Sequence, residues 1–225
     1  MAARVFVWLG GALFVASLAG CAWTYGETFG RGLPSGGWPP LAIDAGLITI
    51  FAVHHSVFAR ETMKARMTRL VPAALLRSSY VWIASALLIF ACATWRPIGG
   101  EIYRAQGVLA LALAGVQLAG LWLTATSTGR LDPLELAGIH PPRESEGLQV
   151  SGPFRWIRHP LYLGWVLMVF GAAHMTGDRL AFAVTTTLYL VVAIPLEERS
   201  LRRAFGEAYA GYMRQVRWRL IPFIY

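Results

Sequence analysis

The chain has 225 residues, of which 56% are hydrophobic and only 14% are charged, and its mean hydropathy is positive. This composition is too apolar for an ordinary soluble domain and predicts an integral membrane protein. Twenty basic residues, all but one of them arginine, give a net charge of +8. They cluster between apolar segments, and no nucleic-acid motif accompanies them, so we expect membrane lipids and no nucleic acid as partners.

Apolar segments follow one another along most of the chain. They predict an all-α membrane protein with about six transmembrane helices, or five if one is not a full span, because a span needs roughly 20 mainly apolar residues. The segments are 5–25, 41–59, 79–95, 105–126, 161–176 and 180–196. Segment 105–126 is rich in small residues, as expected where membrane helices pack closely. The last two are short, and Gly177-Asp178-Arg179 between them predicts a tight helical hairpin.

The N-terminal segment also has the pattern of a bacterial lipoprotein signal. Arg4 precedes an apolar run that ends at Leu18-Ala19-Gly20-Cys21. We expect the segment to be retained as the first membrane helix. Cys21 and Cys92 both lie in apolar stretches without the spacing of metal ligands, so we expect no metal site.

A polar connection at 127–158, which includes Glu144 and Glu146, divides the chain. It predicts an N-terminal set of membrane helices at 1–126, the possible acceptor side, and a cofactor-binding core at 127–225. The end of the core has apolar residues at helical spacing and predicts a cytoplasmic amphipathic helix. Sixteen of the twenty Lys and Arg residues fall on the side of the connection and both termini, which predicts that this side is cytoplasmic.

Residues 151–164 carry the densest polar chemistry in the chain. Pro160 begins an apolar run, which predicts that it occupies the first helical position with His159 as the cap. Free amides in the first turn, the helix dipole and the charges of Arg155 and Arg158 would favour a bound carboxylate or phosphate. The alternative is that these arginines contact lipid headgroups.

Two further pairs complete the candidate site. Glu197-Glu198 is predicted to end the second helix of the hairpin, which brings both carboxylates near His159 and Arg158. They would bind the cationic end of a zwitterionic ligand, or else simply pair with neighbouring arginines. Tyr209 and Tyr212 lie on the apolar face of the last helix, where they either pack or contact a cationic ligand such as a sulfonium.

These motifs resemble the membrane methyltransferases, which include isoprenylcysteine carboxyl methyltransferases, phospholipid methyltransferases and their bacterial relatives. The matching residues are the run from Gly152 to Gly164, Glu197-Glu198, Phe205-Gly206-Glu207-Ala208-Tyr209 and Tyr212. The resemblance implies S-adenosylmethionine as methyl donor and S-adenosylhomocysteine as product. Together with the helix start, the candidate cofactor-binding residues are Arg155, Arg158, His159, Pro160, Tyr162, Gly164, Glu197, Glu198, Tyr209 and Tyr212.

The front half is similar to the bacterial methanethiol S-methyltransferase branch and its denitrification-associated membrane relatives. The similarity lies in Val53-His54-His55-Ser56-Val57-Phe58-Ala59-Arg60, Arg69-Leu70-Val71-Pro72, Arg77-Ser78-Ser79-Tyr80-Val81 and Trp95-Arg96-Pro97. It implies a bacterial inner-membrane protein and a small thiol as one candidate acceptor. An isoprenylcysteine carboxylate, an amine and a lipid headgroup stay open as acceptors.

Methyl transfer from a sulfonium is an in-line displacement, so catalysis depends mainly on holding the reacting atoms about 3–3.5 Å apart. A thiol acceptor, with a pKa of about 8.5, would gain from a nearby cation that favours the thiolate. Arg158, His55 and Arg60 are the candidate catalytic residues for this role. An amine acceptor would need a base, for which His159 or Glu198 could serve.

Two other functions fit parts of the sequence. His54 or His55 together with His174 could ligate a haem, since imidazole is a common axial ligand, and would make the chain an electron-transfer protein. A non-catalytic membrane subunit that keeps the fold without binding the cofactor is the other alternative.

Overall fold

The computed structural model describes residues 1–58, 60–129, 132–140 and 147–225. Ala59 of the predicted second span, and Glu144 and Glu146 of the predicted connection, lie outside the described residues. The helices are α1 (Ala2–Trp23), α2 (Trp38–Phe58), α3 (Glu61–Met67), α4 (Ala73–Thr94), α5 (Gly107–Thr128), α6 (Pro133–Leu136), α7 (Pro160–Phe170), α8 (Gly177–Phe205) and α9 (Glu207–Gln215). Two short strands, β1 (Glu101–Arg104) and β2 (His174–Thr176), pair with each other.

Five helices in the described part of the chain are long and apolar enough to cross a membrane. They are α1 with the π-helical turn that follows it, α2, α4, α5 and α8. Helix α7 has only 11 residues and is therefore about 16 Å long, roughly half the thickness of a bilayer core. The protein is a multi-pass, helical membrane protein, and the five long apolar helices of the described residues correspond to the lower of the two predicted counts.

The predicted hairpin is wrong in its details. Its first helix ends at Phe170 rather than at Thr176, because Gly171 follows it as the C-cap with its amide bonded to the Leu167 carbonyl. The chain then extends into β2, and the Ala105 amide donates to the Ala173 carbonyl beside the unpredicted strand β1. Gly177-Asp178-Arg179, predicted to be the turn, is instead the first turn of α8.

The second half of the hairpin is longer than predicted. Helix α8 continues past Glu197-Glu198 to Phe205, although Pro195 lies within it. The predicted amphipathic helix is divided at Gly206, whose φ of +51° is a conformation that glycine adopts easily. The two glutamates therefore lie inside a helix, where their side chains have fixed directions, rather than at its frayed end.

The described residues form two compact units. The first contains residues 1–100, 132–140 and 176–178, and the second contains 101–129, 147–175 and 179–225. The functional division of the chain into 1–126 and 127–225 stays a prediction. Each unit has its own internal contacts.

In the first unit, a buried acid organises the loop after α4. The side chain of Asp178 accepts hydrogen bonds from Trp95 Nε1 at 2.8 Å, from the Ile98 amide at 2.8 Å and from the Gly99 amide at 2.9 Å. Asp44 in α2 accepts the Arg96 amide at 3.0 Å. The Asp178 carboxylate thus replaces its lost hydration with backbone and indole donors, whereas Asp44 Oδ2 is buried without a hydrogen-bond partner among the described residues.

In the second unit, α5 and α7 approach closely through glycine. A Cβ on Gly120 would lie 2.6 Å from the Gly164 carbonyl oxygen, and one on Gly164 would lie 2.5 Å from Thr124 Oγ1. The predicted close packing of the segment rich in small residues is therefore confirmed. This packing holds the start of α7 against α5.

Candidate active site

The start of α7 has the predicted capping arrangement. His159 is the N-cap and Pro160 occupies the first helical position, where the absence of an amide proton does no harm. The amides of Tyr162 and Leu163, however, both donate to the His159 carbonyl, at 3.1 and 3.2 Å. These two donors are not available to a ligand, so the predicted anion site loses part of its basis.

The C-terminal segment accepts hydrogen bonds from the backbone amides just before α7. The amide of Arg158 donates to the Trp218 carbonyl and that of His159 donates to the Arg219 carbonyl, each at 2.9 Å. The two stretches therefore lie side by side. These two hydrogen bonds hold the backbone of Arg158 and His159 in place.

Arg158 and Glu198 form a buried ion pair. Arg158 Nε donates to Glu198 Oε1 at 2.6 Å, and Nη1 donates to the carbonyls of Val216 and Arg217, each at 2.9 Å. The other carboxylate oxygen of Glu198 lies 3.2 Å from Arg219 Nε. Arg158 is 8% exposed and Glu198 is 3% exposed, so both charges depend on these partners.

A second layer of contacts surrounds this pair. Tyr162 donates its hydroxyl to Glu197 Oε2 at 2.6 Å and stacks on the His159 ring, with centroids 5.3 Å apart. His159 Nδ1 lies 3.6 Å from Glu197, and Nε2 lies 3.5 Å from Glu198 Oε1. Within the described residues, the buried Nε2 has no hydrogen-bond partner. We call Arg158, His159, Tyr162, Glu197, Glu198 and Arg219 the Arg158–Glu198 cluster.

Tyr209 and Tyr212 pack with Val216 in a small core of the second unit. The Tyr212 hydroxyl donates to the Phe154 carbonyl at 2.7 Å, whereas the buried Tyr209 hydroxyl has no partner in the part of the chain that the structure describes. Burial raises the pKa of Tyr212 to about 12. Burial, aided by the charge of Glu198, also raises the pKa of Tyr209. The rings have the predicted packing role, and contact with a cationic ligand stays a prediction.

Three other predicted cofactor residues have clear positions. Arg155 is exposed at the end of a short 3-10 turn, and Pro160 is buried at the start of α7. Gly164 faces Thr124 in α5, so close helix packing accounts for the glycine. Their predicted contacts with a cofactor stay predictions.

The candidate residues of the front half belong to the first unit. His55 Nδ1 is 2.7 Å from the Tyr80 hydroxyl, and both residues line a cavity of about 660 Å³. Arg60 is exposed before α3, where its carbonyl accepts the amides of Met63 and Lys64. The structure thus gives His55 a cavity-facing position, and the thiolate-stabilising roles of His55 and Arg60 stay predictions.

The haem alternative depends on His174 as well. His174 Nε2 is 3.0 Å from Glu101 Oε2 and 3.2 Å from Arg104 Nη2. Glu101 also accepts from Arg104, and these charged contacts hold its pKa below the usual range. His174 therefore belongs to a polar group at β1 and β2.

Sequence reasoning missed the contribution of the chain end to this site. Arg219 pairs with Glu198, and the carbonyls of Val216 and Arg217 accept from Arg158. In the sequence, Arg217 and Arg219 resemble the other arginines that flank membrane spans. Backbone carbonyls carry no sequence signal at all, so this part of the site could only be found in the structure.

Comparison with known proteins adds an independent finding. The sequence model of the phospholipid methyltransferase family matches residues 107–208. The methanethiol S-methyltransferase of Crocosphaera subtropica is 38% identical over 193 residues, which cover 82% of this chain and 75% of that protein. The Mycobacterium tuberculosis protein of the same name is 35% identical, with 78% and 76% covered. Nurim of Sus scrofa is 30% identical, with 72% and 68% covered. No solved structure gives a significant match.

The helical membrane fold and the matched family define a membrane methyltransferase. The chain belongs to the membrane methyltransferase family that contains the methanethiol S-methyltransferases. The resemblance found in the sequence is therefore confirmed, and it favours an enzyme over the haem protein and the non-catalytic subunit. A methyltransferase of this family requires a methyl donor and a small or lipophilic acceptor.

Proposed function

We propose that the protein transfers a methyl group from S-adenosylmethionine to methanethiol. In this reaction, the bond between the donor sulfur and its methyl carbon breaks, and a bond forms between that carbon and the thiol sulfur. The products are S-adenosylhomocysteine, dimethyl sulfide and a proton released to solvent. The similarity to methanethiol S-methyltransferases supports the acceptor, and the Arg158–Glu198 cluster supports the place of the donor.

The observation that carries the proposal is the pair of unpartnered polar atoms beside a buried ion pair. The Tyr209 hydroxyl is buried and has no hydrogen-bond partner among the described residues, and His159 Nε2 makes no hydrogen bond there beyond its 3.5 Å approach to Glu198 Oε1. Such groups are costly unless something pairs with them. The donor carries a carboxylate, an ammonium, ribose hydroxyls and an adenine, which offer the donors and acceptors that these two atoms lack.

The two glutamates have different roles in this proposal. Glu198 is buried and already accepts from Arg158 and Arg219, so it positions these guanidinium groups. The Glu197 side chain is 43% exposed and is the carboxylate that would bind an ammonium or a ribose hydroxyl. When bound, S-adenosylmethionine supplies an electrophilic methyl group on a sulfonium sulfur.

The cations near the cluster suit a carboxylate ligand and a thiolate. The Arg219 side chain is 34% exposed. Arg155, which precedes Arg158 in the same unit, is also exposed. Arg158 donates to Glu198 and to two carbonyls, so its role is to hold the site in position rather than to stabilise a thiolate directly. We keep His55 and Arg60 as the candidate residues for stabilising the thiolate. The distribution of arginines supports a cytoplasmic site in a bacterial inner membrane.

The donor site is tested by calorimetric titration of the detergent-purified protein with S-adenosylhomocysteine. We expect saturable binding to the parent, and a loss of at least about tenfold in affinity, or about 1.4 kcal/mol, for His159→Ala and Glu198→Gln. Glu27→Gln, which changes an exposed glutamate of the first unit, is the matched control and should bind as the parent does. Binding that is equal in all four proteins would show that the site is misplaced.

The acceptor is tested separately by headspace gas chromatography. Parent protein with S-adenosylmethionine and methanethiol should produce dimethyl sulfide, while the two site variants should produce much less. S-adenosylhomocysteine binding without dimethyl sulfide would contradict methanethiol as acceptor and leave the donor site standing. Absence of binding by protein that is folded by circular dichroism would contradict the donor site itself.

A further inference from the structure

The first unit contains a cavity that the proposed acceptor does not explain. Its volume is about 660 Å³, within the range of roughly 300–1,000 Å³ that is usual for pockets that bind drug-sized molecules. Methanethiol has two non-hydrogen atoms, and one water molecule takes about 30 Å³ in the liquid. A small thiol would therefore leave most of the cavity empty.

The cavity is elongated and changes character along its length. Its wall on α4 extends from Ala73 to Leu88, which corresponds to about 22 Å at 1.5 Å per residue. Near the beginning of α4, the wall includes the basic side chains of Lys64 and Arg77. Towards Leu88 the wall is mainly apolar, with Phe14 contributed by α1, apart from the hydroxyls of Ser17 and Ser85. The dimensions correspond to a mean cross-section of roughly 30 Å², which suits one extended hydrocarbon chain.

Two buried polar groups in the wall have no hydrogen-bond partner among the described residues. His54 is 8% exposed, and neither of its ring nitrogens has a hydrogen-bond partner within the residues that the structure describes. Ser85 is 2% exposed, and its hydroxyl also has no hydrogen-bond partner among the described residues. His55, the neighbour of His54, is by contrast paired with Tyr80. Unpaired buried polar groups are uncommon in native proteins and usually indicate a missing partner.

The His54 ring is held in a fixed orientation. It stacks on Phe58, with ring centroids 4.8 Å apart, and on Tyr80, with centroids 5.4 Å apart. A neutral imidazole has one N–H donor and one acceptor nitrogen. A hydroxyl or thiol group both donates and accepts, so it matches the ring better than a carboxylate, which only accepts.

We propose that this cavity binds a neutral single-chain amphiphile, with its hydrocarbon chain along α4 and a hydroxyl or thiol head hydrogen-bonded to His54. The apolar residues of the wall between α1 and α4 stabilise the chain, and the head forms a hydrogen bond with a ring that has no such partner among the described residues. The proposal does not depend on methanethiol as acceptor or on the donor site of the second unit. It assigns the first unit a ligand of its own.

The test is photolabelling of the purified full-length protein with a long-chain alcohol that carries a diazirine group, followed by mass spectrometry of its peptides. We expect labelled peptides from α1, α2 and α4, and competition by unlabelled dodecanol. Ala84→Trp fills the cavity wall and should abolish this labelling. Ala86→Trp makes the same change at an exposed position of α4 outside the cavity and should leave it intact.

A second variant tests the head group without filling the cavity. His54→Phe keeps an aromatic ring against Phe58 and Tyr80 but removes both nitrogens. One lost hydrogen bond should weaken competition by dodecanol about two- to tenfold and leave competition by dodecane unchanged.

Three results would overturn the proposal. Equal labelling of Ala84→Trp and Ala86→Trp would show that the probe only contacts the lipid-facing surface. Stronger competition by dodecanoate than by dodecanol would contradict a neutral head. Unchanged competition by dodecanol in His54→Phe would show that water rather than a ligand satisfies the ring.

Discussion

The Arg158–Glu198 cluster of the second unit and the His54 cavity of the first unit both bury polar side chains, but they do so in opposite ways. Arg158 and Glu198 have partners for their charges, partly from the backbone carbonyls of the chain end. His54 and Ser85 are buried as deeply, yet lack hydrogen-bond partners in the described part of the chain. The Arg158–Glu198 ion pair therefore has its positioning contacts within the protein, whereas we propose that a ligand provides the partner of His54.

This difference follows from the cost of burying each kind of group. An unpaired buried charge is expensive, so Arg158 could only be buried together with Glu198 and several acceptors. A neutral imidazole or hydroxyl costs about 1–3 kcal/mol when it lacks a partner, which a fold can tolerate at a site where a ligand binds. Substitutions should therefore affect the stability of the two regions very differently.

Arg158→Leu should have the largest effect. It leaves the Glu198 carboxylate buried with Arg219 as its remaining arginine partner among the described residues, and it frees the carbonyls of Val216 and Arg217. We expect a loss of about 3–5 kcal/mol, which corresponds to a fall of roughly 10 °C in the thermal midpoint of a protein of this size. Thermal unfolding in detergent, followed by circular dichroism, measures it.

Arg155→Leu is the control for this experiment, because it removes an exposed arginine from the same stretch of chain. Its thermal midpoint should stay within about 1–2 °C of the parent value, since exposed charges contribute little. Similar midpoints for the two variants would mean that the buried ion pair is not the element that holds this region together.

The pairing across the hairpin could be predicted from the sequence because it depends on connectivity. Two apolar segments joined by a short link lie antiparallel, so Arg158 and His159 at the start of one must approach Glu197 and Glu198 near the end of the other. The structure confirms this proximity at 2.6 Å between Arg158 and Glu198. The capping roles of His159 and Pro160 were also predictable, since they follow from local backbone chemistry.

Features that depend on backbone hydrogen bonds could not be predicted in this way. Helix α8 continues to Phe205 because the charged residues after Leu196 are good helix formers, although their polarity suggested an end to the span. Strand β2 and the contacts of residues 216–219 are formed by amides and carbonyls that every residue carries. The sequence left two interpretations of Glu198 open, ligand binding and pairing with Arg158. The pairing became visible only in the structure.

Tyr212→Phe should have an intermediate effect that depends on pH. Removing the hydroxyl bond to the Phe154 carbonyl should cost about 0.5–1.5 kcal/mol. Because burial raises the pKa of Tyr212 to about 12, its contribution is fully present below pH 10 and is lost as pH rises from 10 to 12. Thermal midpoints measured across this range should therefore fall more steeply for the parent than for the variant.

Tyr209→Phe is the matched control, because it removes a buried hydroxyl without a partner among the described residues. At neutral pH, and without ligand, this variant should be as stable as the parent or slightly more so, since it removes an unpaired polar group. A loss as large as that of Tyr212→Phe would show that the Tyr209 hydroxyl has a partner of its own.

His54→Phe should have the smallest effect on the ligand-free protein, and it separates the two regions most clearly. The new ring keeps the stacking on Phe58 and Tyr80, while it removes two buried nitrogens that have no hydrogen-bond partner among the described residues. Replacing an unsatisfied polar group by an apolar one of similar shape is close to neutral, so we expect a midpoint within about 2 °C of the parent value or above it. Dodecanol should then stabilise the parent more than the variant in the same thermal assay. If His54→Phe were instead as destabilising as Arg158→Leu, the His54 ring would be part of a completed polar network, and the contrast between a self-sufficient cluster and a ligand-dependent cavity would not hold.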